Sequence, residues 1–154
     1  MPSTNIEELA FEFFKLFSKM EYALKATGIQ KYLKNDRNNN AFADWEEFIS
    51  KNSSSFSLTY LSDKYILNNP PKIQKVDNSG NLVFSNHWYS NSNDLKSAIE
   101  YLKTVRNNLF HGGKGTSTEF IEDNTRNKEL LKSSIEIIKY IKTLDSDVKS
   151  NFDN

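Results

Sequence analysis

Apolar residues recur three and four apart at Ile6, Leu9, Ala10, Phe13, Leu16, Phe17, Met20, Ala23 and Leu24, a spacing that predicts a long first helix with one buried face. Thr4 and Glu7 read as a capping box at its start and Gly28 as its stop. Residues 29–34 are expected to add a short turn of helix, and residues 36–40 form a polar breaker. Phe42, Trp45, Phe48 and Ile49 behind Asn40 as a cap predict a short second helix that closes at Asn52-Ser53-Ser54-Ser55. Pro70-Pro71 interrupts any helix over residues 58–67, and the stretch from Ile73 to Phe84 around Asp77-Asn78-Ser79-Gly80-Asn81 predicts a small hairpin. Helical spacing returns behind Ser92 or Asn93 through Leu95, Ala98, Ile99, Leu102, Val105 and Leu109, with Gly112 and Gly113 as the stop. A last helix carries Leu131, Ser134, Ile135, Ile138, Ile141 and Leu144, and the mixed-charge tail over residues 146–154 is expected to fray. The expected fold class is all-α, in one domain over residues 1–154, with residues 56–92 as an irregular or β-hairpin insertion between core helices.

Composition narrows the chemistry. Eleven Phe, seven Tyr and two Trp in 154 residues supply large apolar surfaces, so aromatic side chains are expected to dominate the core. Twenty basic and twenty acidic residues cancel, so no global field draws the chain to a polyanion, and any such site must be local. Between positions 96 and 114, Lys96, Lys103, Arg106 and Lys114 are opposed only by Glu100. The absence of cysteine removes disulfides, thiol nucleophiles and thiolate metal sites, and agrees with a reducing cytoplasm. Met1-Pro2-Ser3-Thr4 carries no basic leader and no apolar run approaches bilayer length, so a cytoplasmic location is expected.

The chemistry concentrates in Arg106-Asn107-Asn108-Leu109-Phe110-His111-Gly112-Gly113-Lys114, at the end of the third predicted helix. Arginine offers a permanently charged planar fork for phosphate oxygens, and histidine titrates near neutrality. On a regular helix Asn107 and His111 share a face, while Arg106 and His111 differ by about 140° in azimuth. Both reach one phosphate only if the helix loosens at Gly112 or Arg106 reaches round or across an interface. Read from residue types alone, Arg106 and His111 are more readily a solvated arginine and a capping histidine than a catalytic pair.

The phrase from Arg106 to Lys114, with a polar residue directly after the arginine and a late helix to carry it, resembles the signature of the HEPN family. Glu21-Tyr22-Ala23-Leu24-Lys25 on the first helix resembles one bacterial and mobile-element branch of that family. The likeness covers the first, third and last helices and has no counterpart over residues 56–92. It implies an up-and-down helical bundle and RNA cleavage without a metal or other cofactor, by a homodimer or paired domains in which two Arg/His motifs meet at one cleft. Members act as toxins in toxin–antitoxin pairs, as phage-defence effectors and as RNA-processing factors, and some have lost catalysis. Gly113 stands where one toxin branch has the tyrosine that its antitoxin nucleotidylates, which argues against that neutralisation here.

The roles that follow are His111 as general base or acid, Arg106 on the phosphate, and Asn107 orienting His111 or the scissile group. Lys103 and Lys114 are read as RNA contacts, and Glu21 as an acceptor that fixes the Arg106 fork. The expected function is an RNA endonuclease, a toxin or phage-defence effector restrained by an antitoxin or other regulatory protein. The alternative is a catalytically silent module of the same family that binds RNA, nucleotide or a protein partner.

Other motifs read as structural. His87 has no second ligand at metal spacing, and the neighbouring Trp88 and Tyr89 read as packing aromatics or as base-stacking surface. Gly112-Gly113-Lys114-Gly115-Thr116 follows a helix and lacks the strand-to-helix context of a phosphate loop. The Phe11, Phe13, Phe14 and Phe17 run reads as core together with dimer interface.

Overall fold

Asn5 opens the first helix by accepting a hydrogen bond from the Glu7 N–H through its side chain at 2.8 Å. The computed structural model describes residues 5–86, 93–110 and 124–154. Thr4, half of the expected capping box, lies outside them, and Asn5 provides the cap. Helix α1 (Ile6–Lys25) ends ahead of Gly28, whose φ of +94° is the left-handed conformation that favours glycine.

The expected helical turn over residues 29–34 is instead the approach to a hairpin of β1 (Leu33–Asn35) and β2 (Ala41–Ala43). The polar breaker is its turn. The Asp36 carboxylate accepts from the N–H groups of Asn38 and Asn40, and Asn39 takes φ +62°, which an Asn tolerates. Phe42 consequently sits on β2, half-exposed, and the cap of α2 (Trp45–Asn52) is Asp44 rather than Asn40, its side chain accepting from Glu47 N–H at 3.1 Å. The 3.6-residue spacing extended one member too far because a strand residue happened to fall in phase.

Two 3₁₀ turns and the short α3 (Tyr65–Asn68) follow. Part of the expected insertion is core: Phe56, Leu61 and Ile66 are buried with the helices, and the Ile66 N–H donates to Ser133 Oγ at 3.1 Å. The expected hairpin is present as β3 (Ile73–Val76) antiparallel to β4 (Leu82–Ser85), with Ile73 opposite Ser85 and Val76 opposite Leu82. Its turn repeats the first one: Asp77 accepts from Ser79 and Asn81, and Gly80 takes φ +82°.

Helix α4 (Asp94–Phe110) starts behind Asn93, whose side chain accepts from Lys96 N–H at 3.0 Å. Helix α5 (Asn124–Ile141) runs on through a 3₁₀ turn to α6 (Ser146–Asp153). The tail expected to fray is thus α6. It is capped by Asp145, buries Val148 and Phe152, and packs on α1. Its two apolar residues are four apart, enough to dock one short helix although too few to stand out by periodicity. Lys31 closes the joint with ion pairs to Asp145 at 2.9 Å and Asp147 at 2.8 Å, and the buried Tyr32 hydroxyl donates to Asp145 at 2.9 Å while accepting from Asn52.

The described architecture is mainly helical, with two small antiparallel hairpins. Aromatic rings run through the core from Phe13 to Phe17 (5.8 Å between centroids), to Trp45 (5.7 Å), to Phe48 (6.3 Å) and to Tyr32 (5.4 Å), as the composition leads one to expect. No helix among the described residues is long and apolar enough to cross a membrane.

Candidate functional site

Leu95, Ala98, Ile99, Leu102 and Val105 bury one face of α4 and hold its last turns against the core, which leaves Arg106, Asn107 and Phe110 on the outer side. Arg106 turns toward α1. Its guanidinium carbon lies 5.0 Å from the centroid of the Phe17 ring, and Nη1 is 3.3 Å from Glu21 Oε1. Nε and Nη2 both donate to Oδ1 of Asn107, at 3.2 and 3.0 Å. A ring face below, a carboxylate on one side and an amide on the other define the plane of the fork.

The ion pair between Arg106 and Glu21, residues 85 apart, is thus present as expected. The expected role of Asn107 toward His111 falls outside the described residues, and its contact with Arg106 is an addition. The Asn107 carbonyl oxygen is engaged by the neighbouring arginine, so among the described contacts it orients the guanidinium. Among the described residues three of the five guanidinium N–H donors are used, and the side chain is 31% exposed, so within them donors remain for an incoming oxygen.

Lys103 lies one turn before Arg106 but is drawn aside, with Nζ 3.8 Å from Glu100 and 5.8 Å above the Trp45 ring. It flanks the fork without joining it. Asn108, the second amide of the motif, is structural: it is nearly buried, its Nδ2 donates to the Lys72 carbonyl at 2.9 Å, and this ties β3 to α4. His111, Gly112, Gly113 and Lys114 lie outside the described residues, as do His87, Trp88 and Tyr89.

Three features of the site escape a linear reading. Phe17 carries the guanidinium, Phe14 packs against Phe110 at 5.0 Å between centroids with the ring planes tilted by 55°, and both rings of that pair remain exposed one turn along from Arg106. Of the Phe run on α1, Phe13 and Phe17 are core, whereas Phe11 and Phe14 face outward. Among the described residues no group of three or more His, Cys, Asp or Glu side chains is arranged to hold a metal ion. The chain matches no family model, no curated protein sequence and no solved structure.

Proposed function

We propose that this protein is an RNA endonuclease of the HEPN type, built on that family's helical bundle and working as a cytoplasmic homodimer in the manner of a toxin or phage-defence effector. The observation that carries the reading is the Arg106 fork, held in one plane by Phe17, Glu21 and Asn107 with N–H donors unspent, five residues before the one histidine of the motif.

In the proposed reaction a ribose 2′-hydroxyl attacks the adjacent phosphorus. His111 of one protomer accepts the hydroxyl proton, the bond from phosphorus to the 5′-oxygen breaks, and the second protomer's histidine returns a proton to that oxygen. The products are a 2′,3′-cyclic phosphate and a 5′-hydroxyl. Proton transfer of this kind contributes about 10²–10⁴-fold. Arg106 donates to the non-bridging oxygens as their charge grows, Asn107 and Glu21 keep its fork in place, and Lys103 and Lys114 hold flanking phosphates. The chemistry needs no metal or cofactor.

Labelled RNA incubated with the purified protein in EDTA tests this. The parent is expected to cleave and to leave a cyclic phosphate end, while folded Arg106→Ala and His111→Ala lose about 10²-fold or more of the rate. Equal cleavage by the parent and both variants would place the activity elsewhere. A folded parent that binds RNA without cutting it would leave a binding module in place of an enzyme.

A further inference from the structure

Phe14 and Phe110 are exposed to 43% and 50% and touch each other across the two helices, their ring planes tilted by 55° so that each keeps a face toward solvent. Their place in the fold gives the pair a context. On α4, Phe110 lies four residues after Arg106, one turn along the same face. On α1, Phe14 lies three residues before Phe17, which carries the guanidinium, and seven before Glu21, which pairs with it. The two helices therefore set an apolar aromatic surface one turn from a planar cationic fork with donors to spare. One helical turn is about 5.4 Å, comparable with the sugar that separates a phosphate from its base.

We infer that the Phe14–Phe110 pair is a stacking platform for one unpaired base of a single-stranded RNA, whose adjacent phosphate Arg106 holds. The inference rests on the RNA-cleaving reading for the identity of the substrate. Glu21 already balances the charge of Arg106, so the phosphate is held by directed N–H donors rather than by a net field, and the stack supplies much of the affinity. Such a site selects single strands, because a paired base presents no free face to the rings. It tolerates any base, since every base has one.

The test uses a short single-stranded 2′-fluoro RNA, which has no attacking hydroxyl, with one 2-aminopurine as a fluorescent base. The parent is expected to bind it and quench the fluorophore, and an unlabelled duplex of the same length is expected to compete weakly. Stacking of one base on an aromatic side chain is worth about 5- to 150-fold in affinity. The Phe14→Leu/Phe110→Leu double variant, which keeps apolar side chains at exposed positions and whose folding is checked by circular dichroism, should therefore bind about tenfold or more weakly and lose the quench. Phe110→Trp should retain both.

Absence of binding or quenching in the parent, or unchanged affinity in the double variant, would overturn the inference. So would a double variant that turns a dimer into a monomer with its quench intact, because the rings would then face a second copy of the chain. Quenching by a parent that never cleaves natural RNA would sink the nuclease reading and leave the platform standing. Cleavage by a parent that does not quench would do the reverse.

Discussion

At the scale of single residues, the site is a question of how one guanidinium is held. The Glu21–Arg106 pair is about one-third exposed on both sides, so its contribution to stability is small, about 0.2–1 kcal/mol. Its contribution to geometry is larger, because a fork free to swing meets a phosphate badly, and misplacement by about 1 Å can cost 10²-fold in rate. Glu21→Ala is therefore expected to lower RNA cleavage by about 10- to 100-fold while moving the melting temperature by no more than about 4 °C. Glu21→Gln, which retains an acceptor, should fall between. A calorimetric scan beside single-turnover kinetics checks this, and unchanged turnover in a folded Glu21→Ala would remove Glu21 from the site. The motif itself was plain in sequence, but the pairing of Asn107 with Arg106 was not. Neighbours on a helix do not share a face, so only the long arginine side chain, curling back, brings the two together.

At the scale of elements, the C-terminal helix α6 is the instructive case. Its joint to α1 and to the turn before β1 depends on Asp145, which caps the helix and receives both Lys31 and the buried Tyr32 hydroxyl. Burial would raise the Asp145 carboxyl, but hydrogen bonds from Lys31, the Val148 N–H and Tyr32 outweigh it and leave the group below its ordinary value. Burial would lower the Lys31 ammonium, yet hydrogen bonds to Asp147 and Asp145 carry it up to about 12. The carboxylate therefore stabilises the fold above its unfolded pKa of about 3.9 and loses that effect as pH falls through its lower folded value. The ammonium stabilises below its unfolded value of about 10.4 and loses that effect as pH rises through about 12. Asp145→Ala removes a cap and leaves a buried hydroxyl without its acceptor, at a cost of about 2–4 kcal/mol. Thermal melts followed by circular dichroism should show a fall of roughly 5–15 °C between pH 5 and 9, narrowing toward both extremes. A deficit that did not vary with pH would mean that the charges of the joint are irrelevant.

At the scale of the whole molecule, the proposed reaction needs two histidines at one phosphate, and each chain has a single Arg/His motif. A two-fold homodimer supplies the second. Light scattering at concentrations where RNA is cleaved should return twice the 17.8 kDa mass of the chain. A monomeric mass under those conditions would defeat the shared-cleft mechanism, although it would leave the Arg106 fork in place. The absence of net charge adds a second constraint on the proposed reaction: it supplies no long-range attraction to RNA, so the proposal requires recognition by local contacts.

The sequence by itself determined where the long helices lie, because α1, α4 and α5 each repeat their apolar residues at the helical period over three or more turns and so need no distant partner to be recognised. It also determined the β3–β4 hairpin, through an Asp77-to-Asn81 turn whose hydrogen bonds are local. The β1–β2 hairpin carries the same kind of turn, but three-residue strands are too short to show an alternating pattern. Only the tertiary structure decided that the charged tail docks as α6, that Phe56, Leu61 and Ile66 enter the core, and that Glu21 and Phe17 meet Arg106. Each of those outcomes depends on surfaces far apart in the chain, whose packing energy no local window contains.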